Sequence, residues 1–208
     1  LEGLKSPGPA ELYNLAVAAT RTKNYPRAME VYKTIYTRFG GKNSRPKNKT
    51  ADLASYKVGY LAYDEGSYKR AVIELGAHLK HYPRSRHAES ARWFIAWSLF
   101  KQDKLDQCKE ALARLKENHR NSSMVAAADY WTARIAGLKG DTEAERTGLQ
   151  AVLDDHPVSS YAWFSASRLN RSWPAETLPP ASPNERVDSM PAVLRARVLA
   201  DAGLDAWA

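Results

Sequence analysis

The chain has 208 residues, 44% hydrophobic and 26% charged, the balance of a globular protein and not of a disordered or fibrous one. The longest apolar stretch, around Trp93-Phe94-Ile95-Ala96-Trp97, is far short of the roughly 20 residues that span a bilayer, and a single cysteine, Cys108, excludes an internal disulfide. Of the net charge of +8, +7 belongs to the first 50 residues, which hold ten Lys/Arg against three Glu; the rest hold 21 Lys/Arg against 20 Asp/Glu.

Leu1 to Ala10 contains Gly3, Pro7, Gly8 and Pro9 and reads as a flexible leader. Starting at Leu1 with no secretory signal in view, the sequence reads as a mature product or an excised piece. Glu11 to Phe39 reads as two helices joined at Asn24-Tyr25, with Pro26 in the first turn of the second and Gly40-Gly41 ending it. Ala16 and Ala28 are small residues twelve apart, one on each helix. Residues 40–50 form a polar, basic loop carrying Lys42, Arg45, Lys47 and Lys49. With Arg21 and Lys57 these make up a candidate basic patch, whose field would attract anions at moderate salt.

Thr50 to Pro83 is the clearest helix–turn–helix copy. Gly59 and Ala71 repeat the twelve-residue spacing, Gly66-Ser67 breaks the chain, Tyr68 plugs the turn and Pro83 stops the second helix. A third copy runs from Ser85 to His119, with Ala96 and Cys108 in the small slots and Asp103-Lys104-Leu105 at the turn. There the thiol reads as a small buried hydrophobe, not a reactive group. A looser fourth copy spans Ser123 to His156, with its turn at Gly140-Asp141. Ser159 to Asn170 reads as one more helix. Residues 171–191 carry five of the chain's eleven prolines and read as a loop. Helical periodicity returns over 192–208 as the start of a further, truncated repeat, so the natural protein is expected to continue.

A unit of this length, with small residues and a turn at fixed offsets, resembles the tetratricopeptide (TPR) repeat. The predicted fold is all-α, a right-handed superhelix of TPR-like helix–turn–helix repeats over residues 11–170. One such pair cannot bury its apolar face alone, so the copies must stack.

Aligning the copies on their small residues gives columns on the first helix of each pair. One reads Tyr13, Tyr56, Trp93, Tyr130; the next reads Val17, Tyr60, Trp97, Arg134; the third reads Thr20, Tyr63, Phe100, Gly137. Spacings of four and three put these on one helix face. Tyr13, Tyr56, Tyr60, Tyr63, Trp93, Trp97 and Tyr130 are therefore candidates to line a ligand groove on the concave side, because rings with a polar handle suit recognition surfaces. The competing reading is that they pack one repeat against the next. Arg21, Lys57, Arg92 and Lys101 are the basic residues expected nearest that surface.

A carboxylate clamp for chaperone tails needs Lys and Asn where Tyr13 and Val17 stand. Nucleic acid is disfavoured because residues 51–208 are nearly neutral and carry no RNA-binding motif. His78 and His81 are three apart on a helix, but Lys80, Arg84 and Arg86 around them oppose a metal cation. Asp154-Asp155-His156 reads as a polar helix end, and Glu89-Ser90 as a dipeptide inside a helix. No Gly-rich phosphate loop, nucleophile elbow or HExxH motif is present, so neither a cofactor nor a metal is expected.

Ala128-Asp129-Tyr130-Trp131-Thr132-Ala133-Arg134, Pro157-Val158-Ser159-Ser160-Tyr161, and Leu194-Arg195-Ala196-Arg197-Val198-Leu199 with Ala202-Gly203-Leu204 together resemble the superhelical region of soluble lytic murein transglycosylases. The earlier copies resemble exported TPR repeats of the kind also found in outer-membrane assembly lipoproteins. The first resemblance implies a periplasmic, non-catalytic platform that precedes a lysozyme-like catalytic domain and positions peptidoglycan. That family's catalytic Glu-Ser segment is not in this sequence, so no catalytic residue is carried over. The alternative is a stand-alone TPR adaptor that binds a protein or peptide partner in envelope assembly.

Overall fold

The computed structural model describes residues 7–40 and 49–171, and among them every regular element is a helix. In chain order these are α1 (Pro9–Arg21), α2 (Tyr25–Phe39), α3 (Lys49–Asp64), α4 (Tyr68–His81), α5 (Ala88–Phe100), α6 (Leu105–Asn118), α7 (Met124–Leu138), α8 (Thr142–Asp155) and α9 (Ser160–Arg168). All nine belong to one compact unit ending at Leu169. Helix α1 begins inside the stretch read as a leader. Pro9 suits a first helical turn, and the Gly8 N–H donates to the Glu11 carboxylate at 2.6 Å. The expected loop at 171–191 and the further repeat at 192–208 fall almost wholly outside the described residues.

The four intra-pair turns share one device. Lys23, Gly66, Asp103 and Gly140, at equivalent places in the four copies, adopt left-handed φ values of 58°, 83°, 58° and 89°. This reverses the chain and lets late amides reach back to the preceding helix. The Asn24, Lys104 and Asp141 N–H groups donate to the carbonyls of Ala19, Leu99 and Ala136 at 2.9–3.0 Å, satisfying oxygens that a helix end would orphan. The Asn24 and Asp141 side chains then cap α2 and α8.

Each helix packs on its neighbours in the chain, and first helices also touch across copies, α1 on α3, α3 on α5 and α7 on α9. The paired small residues are buried in the first three copies, Ala16 with Ala28, Gly59 with Ala71, and Ala96 with Cys108. At Gly59 the helix backs come so close that a Cβ would lie 2.6 Å from Leu75 Cγ. Burial raises the Cys108 thiol to about 11, so it is a protonated core group at neutral pH. Between the backs, Leu61, Leu75, Leu112, Leu115, Ile135 and Leu149 are fully enclosed, each contributing about 1.5–3 kcal/mol relative to exposure.

His78 does not join His81 on a surface. It is wholly enclosed between α3, α4 and the rings of Tyr56 and Tyr82, and neither ring nitrogen has a hydrogen-bond partner. The Asp52 carboxylate lies 4.0 Å away. Desolvation lowers the His78 pKa from 6.5 to about 4, against the pull of Asp52 and with a push from His87. The unfolded chain therefore binds more protons between those two values, and acid favours unfolding. Stability is expected to be unaffected by this group above pH 6.5 and to fall as pH drops toward 4, by up to about 3 kcal/mol. Urea midpoints measured against pH for the wild type and His78→Phe check this: the variant should lose most of the decline.

Candidate functional site

The predicted ring residues lie on the first helices, and the structure divides them into separate groups. Tyr13 packs edge-on against Tyr32 of its own pair at 5.8 Å between centroids. Tyr56, Tyr60 and Tyr63 form a stripe along α3 that meets α5. Tyr56 is buried and stacks on His87 at 5.0 Å, while Tyr60 and Tyr63 receive Phe94 at 5.1 and 4.8 Å. Trp93, Trp97 and Phe100 run along α5 and meet α7 through Trp131, which lies 4.6 Å from Trp97 and 5.5 Å from Phe100. Tyr130 is buried on the other side, against Tyr161 and Phe164 of α9.

These contacts obey one rule. Trp97, Phe100 and Trp131 follow Tyr60, Tyr63 and Phe94 by 37 residues each. In both copies the two rings four and seven residues after Tyr56 or Trp93 are covered by a ring from the next first helix. The Trp97–Trp131 version is so bulky that α5 and α7 nowhere bring Cα atoms within 8 Å. A slot of about 10 Å³ remains under it, lined by Trp93, Trp97, Phe100, Leu112 and the Cys108 side chain among others, barely the volume of one water.

One more step of 37 leads from Trp97, Phe100 and Trp131 to Arg134, Gly137 and Arg168, and the contact becomes ionic. Glu145 occupies the slot held by Ala28, Ala71 and Cys108 in the other copies. Its carboxylate pairs with Arg134 on α7 and with Arg168 on α9, the latter at 3.2 Å. Gly137 makes the room, since a Cβ there would overlap that carboxylate. This is why the fourth copy reads loosely. Asp129 adds a second polar tie, accepting from Lys116 and lying 3.1 Å from the His156 ring nitrogen.

Tyr60, Tyr63, Trp93 and Trp97 remain half-buried and so offer surface as well as packing, whereas Tyr56 and Tyr130 are within the core. Lys57 stands over the Tyr60 ring at 5.1 Å. Trp163 and Phe164, 53% and 41% exposed on α9, extend the ring surface; the adjacent rings of Tyr161-Ala162-Trp163-Phe164 are their signal in the sequence. Of the basic residues, Arg21 ends α1 and Lys49 begins α3. Lys42, Arg45 and Lys47 lie outside the described residues. Arg92 is not beside the rings: with Ile95 and Leu99 it faces a groove between α4 and α6.

Residues 46–162, which run from the start of α3 into α9, match the YfiO family of outer membrane lipoproteins. The chain belongs to that family. No curated protein matches it. Among solved structures, MamA 41-end from Desulfovibrio magneticus RS-1 aligns with a TM-score of 0.52 at 18% identity, covering 70% of this chain and 74% of that one. YrrB, a TPR protein with an unusual peptide-binding site, aligns with a TM-score of 0.54 at 17% identity, covering 76% of this chain and 74% of its own. Identities this low show the fold, an all-α TPR superhelix. In this YfiO-family chain the α1–α2 pair precedes the matched region, and no helix among the described residues is long and apolar enough to cross a membrane.

The ionic contact makes a sign-reversal test. Gly137→Ala should destabilise the wild type despite the roughly 1 kcal/mol by which alanine outranks glycine in helices, because its Cβ displaces the Glu145 carboxylate. In a Glu145→Ala background the same substitution should instead stabilise by about 1 kcal/mol. Denaturant midpoints of the four proteins decide it.

Proposed function

We propose that this chain is a protein-interaction scaffold of the bacterial envelope, an adaptor that holds a segment of a partner protein along its first-helix face. The observation that carries this is the set of half-buried rings, Tyr60, Tyr63, Trp93 and Trp97, on adjoining helices of a rigid stack. Aromatic side chains fixed by their neighbours give large contact area at small entropic cost. Lys57, held over Tyr60, adds a cation at one edge of the stripe. Membership of an outer membrane lipoprotein family supports an envelope location facing the periplasm. A TPR-type fold supports peptide or protein recognition, as the description of YrrB states for that protein.

The reading as a platform of a lytic transglycosylase, positioning peptidoglycan before a lysozyme-like domain, is the second one. It rests on the residue resemblance over 128–204, and the half-buried tryptophans favour it only in that such rings also stack on sugars.

Purification of the chain from envelope extracts should bring down one stoichiometric protein. Tyr60→Ala and Trp97→Ala should each weaken that association about tenfold or more while circular dichroism still reports the helical fold. Loss of binding only in step with loss of folding would leave the rings as packing groups and end the proposal. Co-sedimentation with purified sacculi at low and high salt addresses the second reading: retention at both salts favours it, and retention at neither removes it.

A further inference from the structure

The side of the stack away from the rings carries a second feature. Helices α4 and α6 run parallel and nowhere bring Cα atoms within 8 Å of each other. Between them, floored by α5, lies a groove of about 510 Å³. Its apolar lining includes Val72 and Leu79 of α4 and Ile95 and Leu99 of α5. Ile73, one residue from Val72, is 69% exposed. Gly76 also lines the groove, at mid-wall, and a Cβ built there would meet no atom within 4 Å. The glycine is therefore not required by packing within the fold, and it leaves the groove wide.

One end of the groove is cationic. Arg92 at the start of α5 and Arg114 late in α6 both face it, and neither forms an ion pair among the described residues. The Arg92 Nε is enclosed and has no hydrogen-bond partner. The terminal N–H groups of the same guanidinium are not enclosed and donate to no described residue, so they are the ones left for an acceptor supplied from outside. Glu110, one turn before Arg114 and nearer the groove's middle, makes no ion pair either. It repels an acid placed midway and so confines a carboxylate to the arginine end.

We propose that this groove docks an amphipathic helix of a partner protein, with its apolar stripe on Val72, Leu79, Ile95 and Leu99 and a first-turn carboxylate on Arg92 and Arg114. The dimensions agree. Val72 to Leu79 covers about 10 Å of α4, the same rise as an i, i+3/i+4, i+7 stripe on the incoming helix. Polarity agrees as well. The C-termini of α4 and α6 lie at the arginine end, so a helix running antiparallel to both brings its positive N-terminal pole there. The first turn, where acidic residues are favoured, then meets the guanidinium groups. This site is independent of the ring face.

The probe is a blocked helical peptide about fifteen residues long, with leucines at i, i+3, i+4 and i+7 and a glutamate in its first turn. Its binding to the full chain is read by fluorescence anisotropy. Saturable binding is expected, weakened about tenfold by Arg92→Gln or Arg114→Gln. Replacing the peptide glutamate by glutamine should cost the wild type about the same and the Arg92→Gln protein almost nothing. Gly76→Leu should fill the groove and abolish binding. Gly76→Ala serves as the folded control, since alanine there raises helix propensity. Absence of saturable binding to the wild type would overturn the proposal. So would binding that survives Gly76→Leu but is lost in Tyr60→Ala, which would put the peptide on the rings. Concentration-dependent dimerisation abolished by Gly76→Leu would also overturn it, by making a second copy the occupant.

Discussion

The stack depends on one repeated contact between successive first helices. Two side chains on the outer half of one helix are clasped by a single side chain from the next, and the triplet recurs every 37 residues. Phe94 enters between Tyr60 and Tyr63, and Trp131 between Trp97 and Phe100. At the next step the residues that follow are Arg134, Gly137 and Arg168, and Glu145 ties the two arginines together. A helix pair has one back to bury on its own partner and one face to bury on its neighbour. This contact does the second job, and its chemistry changes along the stack from hydroxylated rings to indoles to ions while its geometry holds.

The ionic version costs more than the aromatic one. Removing the Glu145 carboxylate and the Arg134 guanidinium from water, with Arg168 left half-exposed, is recovered only if they satisfy one another. Gly137 is part of that arrangement, because it creates the space in which Glu145 reaches both arginines. The second copy carries a comparable burden at His78, a neutral imidazole in a small polar enclosure with Asp52, Tyr82 and the stacked Tyr56–His87 pair. Neither site adds much net stability over an apolar filling. Each makes its interface unlike the others, so a mispaired neighbour would leave its charged or polar groups without partners.

Much of this was legible in the sequence. The twelve-residue spacing of small side chains located three pairs and the turn at Gly140-Asp141 the fourth, because a left-handed turn and a close helix approach each restrict residue type. The ring stripe was legible in membership but not in direction. Tyr56 and Tyr60 are one turn apart with the same residue type, yet one is core and the other half-exposed, and the difference lies in His87 and Phe94, which only the fold brings there. Arg92 was misplaced for a related reason. Helix α5 is apolar nearly all round, so its periodicity gives several stripes, Trp93-Trp97-Phe100 and Arg92-Ile95-Leu99 among them, and no preference for which joins the ring surface. Glu145 had a signal that spacing alone could have supplied: a charged residue in a small-residue register, with a glycine and two arginines at the matching offsets.

The two sides of the stack consequently differ in how binding couples to folding. On the first-helix side, the rings that could grip a partner also clasp one repeat to the next, so occupying them stiffens the stack and removing them loosens it. Truncating a ring there costs some stability as well as affinity, while the leucines enclosed between the helix backs keep the fold. On the second-helix side, Gly76, Arg92 and Arg114 line the groove and none of them belongs to the ring-and-ion contact between first helices. Their substitution should leave the ladder of first-helix contacts in place. A scaffold built this way can change what it docks between α4 and α6 at little cost to its fold, whereas a change on the ring face must be accommodated by the neighbouring repeat.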